Sequence, residues 1–150
     1  MGKKTYLIIS ILTLITSLVL LITGSSILNL SVLEIPLGNI ITWLGFIALQ
    51  FTFFLIHNGF KKSQSFLGKI IKYLMYILII VSILWFVIAY ILSGNINFNF
   101  KTSNDFIGSP KASILYWKIN YTLATAPIIL SLTYSILRYI EYKKHVIANK

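Results

Sequence analysis

Residues 70–92 read IIKYLMYILIIVSILWFVIAYIL, and this stretch decides how the rest of the chain is understood. It carries one charge, Lys72, near its start. A helix needs about 20 apolar residues to cross a hydrocarbon layer about 30 Å thick, and a run of 23 is long enough. Three further stretches share its character: Tyr6–Thr23, Asn39–His57 and Ile119–Leu137. None of these three contains a charge. The last helix is expected to start earlier, near Ala112, and to project beyond the membrane.

Composition agrees. Apolar residues are 57% of the 150 and charged residues 11%, against about 45–50% and about 25% in soluble chains. Mean hydropathy is +0.86. The length suits one domain. The predicted fold class is an all-α membrane protein: one polytopic domain over residues 1–150, built as a bundle of four transmembrane helices.

Local stop signals mark the ends. Gly24 and Gly94 follow the first and third spans, where glycine most easily takes the left-handed turn that ends a helix. Asn58-Gly59 closes the second. Pro36 precedes the second helix, and Asn39 is placed to cap it. Ser109-Pro110 turns into the fourth. The first apolar run is longer than a secretion-signal core, so it reads as a retained span.

Orientation follows from the cations, since short cytoplasmic loops are enriched in Lys and Arg. With the N-terminus inside, ten of the 13 cations are inside: Lys3, Lys4, Lys61, Lys62, Lys69, Lys72, Arg138, Lys143, Lys144 and Lys150. Lys101, Lys111 and Lys118 fall outside. Both termini are therefore expected in the cytoplasm. The net charge of +10 flanks apolar runs, which points to a bilayer and away from nucleic acid. The preference for Lys over Arg, with abundant Ile and Asn, fits a prokaryotic plasma membrane.

The helix faces differ. Ser10, Thr13 and Ser17 share a face of the first helix. Thr42, Gly45, Ala48, Gln50 and Thr52 mark the second. Asn120, Ala124, Pro127, Ser131 and Ser135 form a stripe along the fourth. Small and weakly polar stripes let backbones approach and hydrogen-bond across the contact. The third span has only Ser82 and Ala89 of this kind. Helices one, two and four are therefore expected to share the interior, with the third facing lipid. Gln50, Asn120 and Ser131 are the candidate intramembrane polar contacts. Pro127 frees a carbonyl near Leu123. Trp43, Trp117, Tyr6, Tyr73, Tyr90 and Tyr139 are read as interface anchors.

On the outer face, residues 95–101 and 28–32 alternate polar and apolar, the period of a half-buried strand. Two readings stay open: the segments pair as a short β-ribbon capping the bundle, or both rest irregularly in the headgroups. Residues 93–118 form the longest connection, and long connections in compact domains are often functional. Phe98, Phe100, Lys101, Asp105 and Phe106 make the candidate recognition surface.

Much chemistry has no residues to carry it. Cys is absent, which removes disulfides, thiolate metal sites and thiol nucleophiles. The acids are Glu34, Asp105 and Glu141, none within a span, so no acid–base pair and no proton-coupling carboxylate sits in the bundle. Small multidrug exporters share the length and span number, but carry a Glu in the first helix. His57 and His145 are too few for a metal or haem site. No catalytic site, metal or cofactor is expected. The reading is a non-enzymatic membrane protein acting through protein contacts. It would serve as an accessory subunit or as self-protection (immunity) against a membrane-active toxin or bacteriocin. Its partner is another membrane protein or a second copy. The alternative is an oligomeric pore or small permease.

The topology has a direct test. Single Cys residues at Ser63 and Ser103 would be exposed to an impermeant thiol reagent on intact cells. Position 103 should label and position 63 should be protected; the reverse pattern overturns the orientation.

Overall fold

The computed structural model describes residues 2–32, 35–61, 65–95 and 106–148, with side chains through Lys144. Four of its helices are long and apolar enough to cross a membrane. In chain order, α1 is Lys3–Thr23, β1 Ser31–Val32, β2 Ile35–Pro36, α2 Leu37–Ile56, α3 Phe66–Ile83, α4 Trp85–Ser93 and α5 Pro110–Ala148. At 39 residues and 1.5 Å per residue, α5 runs about 58 Å, well past a hydrocarbon core.

The glycine stops act as read. Gly24 ends α1 at φ 58° and Gly94 ends α4 at φ 69°. Each donates its N–H back into the last turn, to Leu20 and Tyr90. The start of α2 differs from the expectation. Pro36 is the residue before the helix, and Asn39 lies inside the first turn, 1% exposed. The Leu30 carbonyl accepts from the Leu37 N–H at 2.8 Å, so one of the first free donors of the helix is met by backbone.

The second helix is the hub: α2 touches α1, α3 and α5, and α5 also touches α3 and α4. Helix α1 lies at the edge against α2. A Cβ added to Gly45 of α2 would stand 3.1 Å from the Cβ of Ser17, so the two backbones approach closely at this small pair. At the far end of the same contact, the Lys3 ammonium donates to the Asn58 side chain just after α2. The ends of α1 and α2 therefore meet head to tail.

This arrangement reverses the expected burial. Ser17 alone is buried on α1. The third span buries Ile71, Met75, Leu78 and Ser82 on α3, then Trp85, Ala89 and Ser93 on α4. Its large side chains fill the core beside Phe60, Tyr116, Leu123 and Tyr134. Polarity misleads here because all four long helices are apolar, so a few small or polar residues do not rank them. Shape, not hydrophobicity, then decides which helix sits inside.

The third span is also broken, at Leu84 (φ −81°, ψ 3°), with neither Pro nor Gly at the break. Two competing bonds surround it. The Ser82 hydroxyl donates to the Ile79 carbonyl at 2.9 Å, and the Trp43 indole donates to the Ile83 carbonyl at 3.2 Å. A side chain that takes a ladder carbonyl is a recognised cause of helix bending. Trp43 is thus a half-buried interhelical donor packed against Phe86, not an interface anchor. Trp117, Tyr6, Tyr73, Tyr90 and Tyr139 are exposed.

The ribbon forms within one connection. Ser31 pairs with Pro36 and Val32 with Ile35, antiparallel. Closing a tight hairpin costs less chain entropy than joining two distant loops. Residues 96–101 of the expected second strand lie outside the described residues.

Burial on the third span generates a comparison. Met75 is fully buried and Leu12 of α1 is 59% exposed. In lipid the transfer contribution is small, so the cavity dominates and Met75→Ala should cost about 2 kcal/mol, the low end for such truncations. Leu12→Ala should change little. Thermal unfolding of both in one mild detergent checks this, and equal losses would restore the lipid-facing third helix.

Candidate functional site

Each predicted intramembrane polar residue bonds to a different helix. Gln50, 0% exposed on α2, donates its amide Nε2 to the Leu123 carbonyl of α5 at 2.8 Å. That carbonyl is the one Pro127 cannot reach, because proline has no N–H to close the bond four residues back. The amide supplies the missing donor. Asn120 of α5 accepts from the Trp85 indole of α4 at 2.6 Å. Ser131 of α5 lies 2.7 Å from His57 Nε2, just past α2. The three contacts tie α5 to α2 twice and to α4 once. Two buried oxygens on α2, Gln50 Oε1 and Thr52 Oγ1, meet no partner among the described residues.

The His57–Ser131 contact was not legible in the sequence. Its residues are 74 positions apart. One ends a helix and the other sits mid-stripe, so only the register of α2 against α5 joins them. The chain after α2 is shaped around this pair. Asn58, Gly59 and Phe60 all take left-handed backbone, at φ 52°, 69° and 56°. For Phe60 this costs roughly 1–2 kcal/mol, and for Asn58 less, since Asn enters this region more readily. It also turns Phe60 inward to 1% exposure, where its ring lies 5.0 Å from His57 and 4.7 Å from Tyr134. Burial of that ring offsets the strain.

A Ser beside a His is the arrangement of an activated nucleophile. Such chemistry also needs donors for the developing oxyanion and space for a substrate carbonyl. Ser131 is 7% exposed, and Phe60 and Tyr134 cover the imidazole from two sides. The imidazole Nε2 and the Ser131 hydroxyl share one hydrogen bond, whose direction follows the ring tautomer. The pair suits a tie between helices. Two clefts, one beside Leu74 and Thr122 and one beside Lys3 and Asn58, are lined by other residues.

Of the candidate recognition surface, Phe98, Phe100, Lys101 and Asp105 lie outside the described residues. Phe106 is half-buried and packs inward, its ring 6.0 Å from Tyr116, where the sequence reading has it exposed. Backbone bonds pull it in: the Ser93 carbonyl accepts from both Ile107 and Gly108 at 3.0 Å. Gly108 makes the approach possible, since a Cβ there would stand 2.0 Å from the Leu92 carbonyl oxygen. The Ser93 hydroxyl meanwhile donates to the Ala89 carbonyl at 2.7 Å and also contacts Asn95. Ser93 thus clamps both stems of the segment 96–105. This clamp had no signal in the sequence beyond the Gly residues near it.

Compared with known protein families, curated proteins and solved structures, the chain matches none.

The Gln50–Leu123 bond generates a double-mutant cycle. Gln50→Leu should cost about 1–2 kcal/mol, because it strands a buried carbonyl. Pro127→Ala restores the helical N–H to Leu123. In that background Gln50→Leu should cost clearly less. Unfolding free energies in detergent measure the cycle, and additive effects would show that the amide does not serve the freed carbonyl.

Proposed function

We propose that this chain is a multi-pass protein of the prokaryotic cell membrane, a four-helix bundle with both termini in the cytoplasm. It acts through protein contacts, as an accessory subunit of a membrane complex or as self-protection against a membrane-active toxin. One observation carries the reading. Three polar contacts at the bundle centre are ties between helices: Gln50 Nε2 to Leu123, Trp85 to Asn120, His57 to Ser131. Groups committed to such bonds hold the fold and are not offered to a solute. Recognition then falls to the surface, and the segment 96–105 suits it. Its stems are fixed at Ser93, so its sequence can vary without disturbing the helices. Phe98, Phe100, Lys101 and Asp105 give it aromatic and charged groups, of which the aromatics are enriched in interfaces.

The alternative, an oligomeric pore or small permease, draws on the free oxygens of Gln50 and Thr52. Both lie on α2, and a path through several copies could use them.

Replacing residues 96–105 by a Gly/Ser linker, with Ser93, Asn95 and Phe106–Gly108 kept, separates the two. The variant should insert and melt like the parent. A partner co-purified with the parent from native membranes should be lost. Solute flux through the purified parent in liposomes, unchanged by the replacement, would favour the pore.

A further inference from the structure

A cleft of about 480 Å³ opens where the start of α1, the end of α2 with the turn after it, and the middle of α3 converge. Lys3 and Lys61 bring two cations to it, Asn58 a polar edge, and Phe54, Leu55 and Tyr76 an apolar wall. The left-handed turn at 58–60 forms its base: Gly59 lines the cleft, and a Cβ there would press on the Phe54 ring at 3.2 Å. A third cation is near, with Lys72 Nζ 5.9 Å from the centre of the Tyr76 ring.

Among the described residues no acid pairs with these cations, and the one ion pair is Arg138 with Glu141, on α5. Lys3 donates to the neutral amide of Asn58 instead. Positive charge is therefore gathered at a concave site and left uncompensated. The wall beside it is aromatic and aliphatic. The cleft also lies where α1 begins and α2 ends, the boundary between an apolar span and its basic flank. A ligand that satisfies all three features carries a negative head and an apolar tail.

We propose that this cleft binds one anionic phospholipid, its phosphate between Lys3 and Lys61 and an acyl chain along Phe54, Leu55 and Tyr76. The inference rests on the membrane insertion proposed above. Basic pockets between helices on the cytoplasmic side are suited to such headgroups. The apolar wall distinguishes the site from one for a free phosphate ion, which would gain nothing from Phe54 or Leu55. A bound lipid would bridge α1 to α3, two helices otherwise joined through α2.

The test uses the full chain purified in mild detergent and titrated with phosphatidylglycerol, phosphatidylcholine or inorganic phosphate. Retained lipid is counted by native mass spectrometry. Phosphatidylglycerol should be retained selectively by the parent. The double variant Lys3→Gln/Lys61→Gln should bind it roughly thirtyfold more weakly, the effect of two lysines near an anionic headgroup. Lys3→Arg/Lys61→Arg should retain it, and Lys111→Gln/Lys118→Gln, which removes the same charge elsewhere, should match the parent. Equal weakening in both Gln variants, or none in either, overturns the site. Displacement of the lipid by inorganic phosphate at matched concentration overturns the lipid assignment. Flotation of the parent with vesicles is measured alongside. A parent that fails to float removes the membrane reading itself, whereas a floating parent with unselective retention removes the lipid site alone.

Discussion

The amide of Gln50 donating to the carbonyl of Leu123 is the bond on which the packing of this chain turns. Pro127 makes it necessary. A buried carbonyl left without a donor costs about 1–3 kcal/mol. The proline thus fixes where α5 must find a donor. The fully buried amide on α2 fixes which helix supplies it. Once those two residues meet, the register of α2 against α5 is set. His57 then falls beside Ser131. Apolar side chains alone give two such helices little to fix their register.

The other features of the core follow from the same scarcity of donors. Trp43 and Trp85 lie on different helices, yet each gives its indole N–H to a group across a contact: the Ile83 carbonyl and the Asn120 side chain. Both rings also pack against Phe86. Large aromatic residues with one polar atom can therefore fill volume and close a hydrogen bond at once. The third span needs few small residues because it meets its neighbours through such side chains. The first helix meets α2 differently, through the close approach of Ser17 and Gly45, and otherwise leaves its surface open.

Strain and charge concentrate at one end. The turn at Asn58–Phe60 holds three successive left-handed residues. It places Phe60 under His57 and Tyr134 while carrying Asn58 and Gly59 to the basic cleft. The same few residues serve the interior tie and the exposed site. At the other end, Ser93 gathers the stems of a long connection with its hydroxyl and its carbonyl. That leaves Asn95, Ile107 and Gly108 held together at the end of α4.

Helix ends and apolar runs were legible in the sequence because they are local. Gly24 and Gly94 stop helices by their own backbone freedom, and about 20 apolar residues span a bilayer whatever surrounds them. The polar stripe on α5 was legible in part: Asn120, Pro127 and Ser131 are buried, Ala124 is half-buried and Ser135 is exposed. The carbonyl freed by Pro127 follows from covalent structure. Its donor does not: a 3.6-residue period tells which residues share a face, not which helix that face meets. The burial of the third span, the break at Leu84, the inward turn of Phe106 and the pairing of His57 with Ser131 were therefore decided only in three dimensions. Each depends on contacts between segments far apart in the chain. In an apolar chain, hydrophobicity ranks no helix above another, so shape and the few available hydrogen-bond donors made the choice.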